Sequence, residues 1–166
     1  MSKTVCFVNT HYLPFLGGII QYTKNLAKEL QNRGVHIVMV TLNVADLAEY
    51  EVVDGIEIYR LPCINYMNGR YPVPSLNKKA IDILVKIKKK DINLIIINAR
   101  FYLLSLFMAR FGKKNGIDTI VIDHGSSHLT MDSMLMTKLG EWYEHIETFM
   151  LKQYCKQFYG VSKASC

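Results

Sequence analysis

The sequence lacks several features that would place it among membrane, secreted or zinc-binding proteins. It contains no unbroken apolar run of the ~18 residues that a transmembrane helix needs. Its four cysteines are scattered and show no C-x-x-C spacing, so we predict neither a disulfide framework nor a zinc site. The N-terminal stretch MSKTVCFVNT has no long apolar region and no cleavage site, and we therefore expect a cytoplasmic protein.

Two nucleotide-binding motifs are also missing. The dinucleotide fingerprint G-x-G-x-x-G is reduced to Gly17 and Gly18, and the second predicted strand ends in Leu42 and Asn43 instead of an acidic residue. The P-loop pattern with its terminal Gly-Lys-Ser/Thr is absent. A nicotinamide cofactor is therefore disfavoured. No cluster of carboxylates, histidines or cysteines suggests a metal, so we expect no cofactor and no metal.

The composition is that of one globular domain. Half of the 166 residues are hydrophobic and 11% are aromatic, which is ample for a core and argues against disorder. The formal net charge of +6 suits anionic partners such as sugar nucleotides, phospholipid headgroups or nucleic acid. The charge alone selects none of these.

Strand and helix patterns alternate along the whole chain. The strand-like runs are TVCFVNT, HIVMVTL, INLIIINA, DTIVIDHG and QFYGVS. This alternation predicts an α/β fold, a Rossmann-like three-layer α/β/α domain with a mostly parallel sheet. Ligands bind such sheets beyond the carboxyl ends of the strands. We therefore expect the site in the loops that follow Thr10, Leu42, Ala99, Asp123 and Ser162.

The segments between the strands give further expectations. An amphipathic helix follows the first strand, and Gly34 fits the left-handed position just beyond its end. The pair Asp54-Gly55 predicts a hairpin or bent strand, whereas CINYMNGRYPVP reads as a loop. Ser75 is the expected N-cap of a helix that ends near Lys90. A longer helix is expected from Asp132 or Ser133 to Lys156.

The glycine pair lies between the first strand and its helix. Gly17 and Gly18 would let a ligand approach backbone N–H groups closely, and the helix dipole favours a phosphate there. Alternatively, the two glycines only make a tight turn from strand to helix. The loop by itself does not decide between these readings.

The order and spacing of several motifs resemble the N-terminal domain of retaining family-four glycosyltransferases, which have the two-Rossmann-domain GT-B architecture. The matching features are the P-x-x-G-G string from Pro14 to Gly18, Leu26-Ala27, Leu30, Gly34, the strand that ends at Thr41, His124 and Val161-Ser162. Two departures are Val35 before His36, where the family often has Gly-His, and Asp123 before His124. The matches extend over nearly the whole chain.

The resemblance implies a reaction and a set of site residues. Sugar would pass from a nucleotide-sugar to a saccharide or lipid-linked acceptor with retention, as in polysaccharide biosynthesis by a hexosyltransferase-type enzyme. Gly17 and Gly18 would lie against the diphosphate or the transferred sugar, and His124 beside the anomeric centre as the catalytic residue. Residues 1–166 would form the acceptor-side domain, with the C-terminal donor-binding domain absent from this chain, which alone would then be nearly inactive.

Acceptor-binding candidates surround the same rim. They are His11, Tyr12, Phe15, Arg100 and Ser126. A packed surface loop is the alternative interpretation of the first three.

The helix at Lys78–Lys90 has apolar residues on one face and lysines mostly on another. It could rest on an anionic bilayer, at the inner face of the membrane, with each lysine worth ~1 kcal/mol near the surface. A solvated face of a sheet-covering helix is the simpler alternative. Nucleic acid is disfavoured, because no aromatic stacking residues are interleaved with the lysines.

Two other functions compete with the enzyme. One is a non-catalytic α/β binding module for a phosphorylated or saccharide ligand. The other is a signalling receiver domain, which would need an acidic cluster at the ends of the first and third strands. Asn9 and Thr10 occupy the first of these places, so the receiver domain is discounted.

Overall fold

A computed structural model describes residues 3–125 and 134–161. The strands in these ranges are β1 (Thr4–Val8), β2 (His36–Leu42), β3 (Tyr50–Val53), β4 (Ile56–Leu61), β5 (Cys63–Tyr66), β6 (Tyr71–Pro74), β7 (Leu94–Asn98), β8 (Asp118–Asp123) and β9 (Gln157–Gly160). The α-helices are α1 (Gly18–Asn32), α2 (Lys78–Lys88), α3 (Leu103–Asn115) and α4 (Met134–Lys152). The alternation predicted from the sequence is therefore present.

Seven strands form one sheet in the order β3-β4-β2-β1-β7-β8-β9 within the described ranges. Every neighbouring pair is parallel except β3 and β4, which are antiparallel about the Asp54-Gly55 turn. The predicted mostly parallel sheet and the predicted hairpin are both confirmed.

Helices cover the two faces of this sheet because side chains along each strand alternate between them. In β1, Cys6 and Val8 point to the face covered by α2, α3 and the end of α4. Val5 and Phe7 point to the opposite face, which α1 covers with Ile20 and Ala27. The result is the three-layer α/β/α arrangement that the sequence predicts.

The helix α1 ends where glycine was expected. Gly34 has a φ of 77°, in the left-handed region that glycine enters without steric cost. The N–H of Gly34 donates to the carbonyl of Gln31, and that of Val35 donates to the carbonyl of Leu30, which satisfies the last helical carbonyls.

Two local predictions are wrong. The segment read as a loop forms the antiparallel hairpin β5–β6, with Pro72 and Pro74 in β6. A two-stranded hairpin leaves one edge of each strand unpaired, so proline is tolerated there. In addition, α2 begins at Lys78 with Asn77 as its N-cap, whose side chain accepts from the N–H of Ala80; Ser75 does not cap it.

The first strand holds the centre of the sheet and fixes where a ligand binds. Since β1 pairs with β2 on one side and with β7 on the other, the chain reverses its winding direction between β1 and β7. The crevice outside the carboxyl ends of such strands is where open α/β sheets bind ligands.

Among the described residues, no helix is both long and apolar enough to cross a membrane.

Candidate functional site

A cleft opens between the carboxyl ends of β1 and β7. Its volume is about 290 Å³, and the β1–α1 loop and the first turn of α1 form one wall. The residues that line this cleft include Asn9, His11, Gly17, Gly18, Asn98 and Tyr102. The glycine pair and the first loop are thus brought together at the predicted edge of the sheet.

Neither glycine of the pair is required by the fold. Gly17, the N-cap of α1, has a φ of 169°, an extended conformation that any residue adopts. A Cβ added to Gly17 or to Gly18 would meet no atom of the described residues within 4 Å. The missing side chains therefore leave open space in the cleft, in front of the N-terminus of α1. Within residues 3–125 and 134–161, no side chain caps that N-terminus, and no acidic residue lies in its first turn.

His124 follows β8 and lies next to the polar floor of the cleft. Its Nε2 is 2.9 Å from Oδ1 of Asn98, and the ring of Tyr22 packs edge-on against it at a centroid distance of 4.7 Å. Burial lowers the pKa of His124 below its ordinary 6.5, while the neighbouring Asp123 carboxylate acts in the opposite direction. The imidazole is therefore neutral at pH 7.

Three buried polar side chains support His124, and the sequence analysis missed them as site residues. Asn9 and Asn98 are each 1% exposed and Thr23 is fully buried. They hydrogen-bond to one another between the end of β1, the inner face of α1 and the end of β7. One signal was available: Thr23 is a polar residue within the apolar stripe of α1.

His11 and Phe15 belong to an aromatic wall beside the cleft. Nε2 of His11 lies 2.7 Å from the carbonyl oxygen of Gly69, which ties the first loop to the β5–β6 hairpin. The His11 ring packs edge-on against Phe15 and Tyr102, at 5.4 and 6.1 Å between centroids. Tyr102 in turn stacks on Tyr71 at 5.4 Å.

Two other acceptor candidates have different surroundings. Tyr12 is 1% exposed and packs in the core beneath α1, which leaves it no surface to offer an acceptor. Nη1 of Arg100 donates to Oδ2 of Asp123 at 2.6 Å, and its Nη2 lies 3.6 Å from Oε2 of Glu144. Arg100 thus links the end of β7 to β8 and α4. Ser126 lies outside the described residues, as does Ser162.

The described part of the chain contains no group of three or more His, Cys, Asp or Glu side chains able to hold a metal ion. The groups in and beside the cleft are instead backbone N–H donors, neutral amides, hydroxyls and the imidazoles of His11 and His124. Such a set can hold an anion at the helix N-terminus and hydroxyl groups beside it.

Comparisons with known proteins agree with this architecture. The family model of glycosyltransferase family 4 matches residues 16–165. The structure of sucrose-phosphate synthase from Thermosynechococcus elongatus aligns with a TM-score of 0.53 and 14% identity, over 96% of this chain and 47% of that one.

This likeness shows the fold alone, that of one Rossmann-like domain of a GT-B enzyme, and the chain spans about half the length of that structure. None of the curated proteins compared with the chain matches it. Since the family model covers most of the sequence, from the first loop to the last strand, the chain belongs to glycosyltransferase family 4.

Proposed function

We propose that residues 1–166 form the acceptor-side domain of an enzyme that transfers a sugar, with retention, from a nucleotide-sugar to a saccharide or lipid-linked acceptor. A second domain would hold most of the nucleotide-sugar, and the cleft at the end of β1 would receive its diphosphate and the transferred sugar. We expect a cytoplasmic enzyme that needs no metal.

The open space in front of Gly17 and Gly18 carries this proposal. Neither backbone conformation nor packing demands glycine at these two positions. Their lack of side chains leaves this space open to a bound group. An anionic group placed there would meet the free N–H groups and the positive end of the α1 dipole. A diphosphate leaving group, on which negative charge develops, fits this environment.

The neutral ring of His124 suits a place beside the anomeric centre. Positive charge develops on the sugar ring as the bond to the leaving phosphate breaks. A protonated imidazole would repel that charge, whereas a neutral ring or its backbone carbonyl stabilises it. The burial that lowers the pKa of His124 therefore supports the role proposed for it.

The aromatic wall of His11, Phe15 and Tyr102 is the surface we propose for the acceptor. Flat aromatic rings provide apolar area for the faces of sugar rings, and their polar tips provide hydrogen bonds. Tyr12 and Arg100 are left out of this surface because one is buried and the other is engaged by two carboxylates.

The proposal extends to the membrane face through α2. Ile81 and Val85 are 56% and 50% exposed on the outer side of this helix. A neighbouring groove of about 460 Å³ is lined by Lys86, Lys89 and Lys90. Exposed apolar side chains beside lysines are typical of a helix that lies on an anionic bilayer.

A size series at Gly17 tests the donor site. The product of the complete gene is assayed for transfer and slow hydrolysis with UDP-, GDP- and ADP-sugars, as wild type and as Gly17→Ala, Gly17→Val and His124→Ala. We expect Gly17→Val to lower turnover by roughly 100-fold, the usual effect of losing preorganised donors to developing charge, and Gly17→Ala to lower it less. Asn25→Val places the same β-branched side chain on the exposed face of α1, away from the cleft, and should leave turnover unchanged.

The outcomes separate the two functions. The transferase is supported if the wild type turns over one of the donors and Gly17→Val loses most of that turnover while its thermal unfolding stays unchanged. If no donor turns over but a nucleotide-sugar or saccharide binds, the non-catalytic binding module is the better description. Unchanged turnover in Gly17→Val would place the donor phosphate elsewhere.

A further inference from the structure

Four polar side chains from four separate elements meet beneath the cleft. Asn9 follows β1, Thr23 faces the sheet from α1, Asn98 ends β7 and His124 follows β8. The first three are each at most 1% exposed. A buried polar group that lacks partners is costly, so the direction of every hydrogen bond in this cluster has consequences for the next one.

The direction is fixed at one end by a backbone carbonyl. The hydroxyl of Thr23 lies 2.7 Å from the carbonyl oxygen of Ile19, which can only accept. The other acceptor within reach, Oδ1 of Asn9, lies 3.5 Å away, so Thr23 donates its single proton to Ile19. Its Oγ1 accepts from Nδ2 of Asn9 at 3.0 Å and from Nδ2 of Asn98 at 3.1 Å. Nδ2 of Asn98 also donates to Oδ1 of Asn9 at 2.8 Å.

These bonds leave one role for the remaining atom of Asn98. Its Oδ1 faces Nε2 of His124 at 2.9 Å, and an amide oxygen can only accept. Nε2 must therefore carry the proton. The reverse orientation of the Asn98 amide would set its oxygen 2.8 Å from Oδ1 of Asn9 and 3.1 Å from an Oγ1 whose proton is already engaged. Two close acceptor–acceptor contacts exclude it.

We propose that Thr23, Asn9 and Asn98 are positioning residues that fix His124 in its Nε2–H tautomer, so that Nδ1 is the ring nitrogen left to accept a hydrogen bond from a ligand. The relay acts through His124 and does not itself touch the reacting atoms. Its catalytic use rests on the proposed function, whereas the tautomer follows from the four side chains alone.

The consequence is a ring with a defined polarity. A free imidazole exchanges between two tautomers, and each presents a donor or an acceptor at a given position. Here the buried amide selects one of them, and the edge contact of Tyr22 limits rotation of the ring. A hydroxyl, an N–H or an ammonium is therefore the chemical group that Nδ1 of His124 would bind.

The test is nitrogen NMR of the complete gene product labelled with ¹⁵N-histidine, in which protonated and unprotonated ring nitrogens have distinct shifts. The signal that His124→Ala removes identifies the ring. We expect a single Nε2–H tautomer in wild type and in Thr23→Ser, which keeps the hydroxyl. In Thr23→Val, which keeps the shape but not the hydroxyl, we expect a mixture of tautomers.

Transfer assays supply the second readout. Thr23→Val should lower turnover on the order of tenfold, the rate equivalent of one misplaced hydrogen bond, and Thr23→Ser should restore it. An Nδ1–H ring in wild type, or an unchanged tautomer in a folded Thr23→Val, overturns the inference. If Thr23→Val does not fold, the wild-type and Thr23→Ser spectra still show which ring nitrogen of His124 carries the proton, and an Nδ1–H ring there still overturns the inference.

The NMR result is independent of turnover, so the two proposals can fail separately. An Nε2–H ring together with an active His124→Ala variant retains the relay and removes the proposed catalytic role. An Nδ1–H ring together with an inactive His124→Ala variant retains that role and removes the relay.

Discussion

Asp123 accepts a hydrogen bond from Arg100 at 2.6 Å and immediately precedes His124, so the ion pair and the imidazole share one strand end. The side chain of Asp123 is 12% exposed and that of Arg100 is 22% exposed. We therefore expect the Arg100–Asp123 pair to stabilise the ends of β7 and β8 and to determine the charge next to the imidazole of His124.

Arg100→Met leaves Asp123 without this partner. We expect a loss of about 2 kcal/mol in the free energy of unfolding, less than for a fully buried pair because some solvent reaches both side chains. The uncompensated carboxylate should also raise the pKa of His124, since Asp123 already acts in that direction. Urea unfolding and NMR titration measure these two quantities.

Arg100→Lys is the matched control because it keeps the positive charge and loses only the planar fork. Its stability should lie between those of wild type and Arg100→Met. A folded, fully stable Arg100→Met whose acceptor KM is raised would instead support the acceptor contact that the sequence suggested.

The pKa of His124 also predicts an acid limit of stability. The folded-state pKa lies below the unfolded value of about 6.5, so the unfolded chain takes up a proton first as pH falls. The stabilisation from the neutral ring is complete above about pH 6.5 and is lost as pH falls through the folded-state pKa. His124→Gln cannot titrate, and its unfolding free energy should vary less with pH in this window. Identical pH profiles for the two proteins would show that burial does not perturb His124.

The layered fold was readable from the sequence because parallel strands buried on both faces have few alternatives. The run from His36 to Leu42 is apolar nearly throughout, as a strand between two helical layers must be. The β5–β6 hairpin was missed because Gly69, Pro72 and Pro74 are all loop residues by propensity. Pairing within the segment overrode that propensity, and the N–H of Ser75 donates to the carbonyl of Pro62 at the base of the hairpin.

The site was only partly readable. The rule that ligands lie beyond strand ends predicts the place of Gly17, Gly18 and His124, whereas the roles proposed for them come from the resemblance to family-four glycosyltransferases. The relay of Thr23, Asn9 and Asn98 was not predicted from the sequence, because Asn98 and Asn9 are 89 positions apart and Asn98 and Thr23 are 75 apart. Pairs this distant have no motif spacing, and only the pairing of β1 with β7 brings them together.

Glu147 on α4 is a second titrating group, away from the relay. It is 2% exposed, so its carboxyl group is almost entirely removed from solvent. Burial, with a smaller contribution from the charge of Glu144, raises the pKa of Glu147 to about 7, although the Tyr143 hydroxyl acts in the opposite direction.

This raised pKa predicts a loss of stability with rising pH. The unfolded carboxyl ionises near 4.5 and the folded one near 7, so the stabilisation is complete below about pH 4.5 and is lost as pH rises through about 7. Glu147→Gln removes this ionisation and should be more stable than wild type by about 2–3 kcal/mol at about pH 8. Denaturant unfolding at a low and a high pH measures it. A difference that is the same at both pH values would contradict a raised pKa.

The lysines of α2 allow a charge-reversal test of membrane contact. Lys79 and Lys90 pair with Glu49 and Glu57, at 3.2 and 2.7 Å, so the test uses the other two lysines that line the groove, Lys86 and Lys89. Each lysine near an anionic bilayer is worth about 1 kcal/mol, and reversal of both should lower binding to phosphatidylserine vesicles by at least roughly 30-fold.

The matched control for Lys86→Glu/Lys89→Glu is Lys113→Glu/Lys114→Glu, which makes the same change of net charge at the exposed end of α3. Vesicle co-sedimentation at low and high salt separates local contact from overall charge. Salt weakens vesicle binding of either kind. Only contact through α2 makes vesicle binding depend on which pair of lysines is reversed. If binding falls equally in both double variants, net charge alone accounts for it and α2 has no special contact with the membrane. If only the α2 variant loses binding, the outer side of α2 is the membrane-facing surface of the domain.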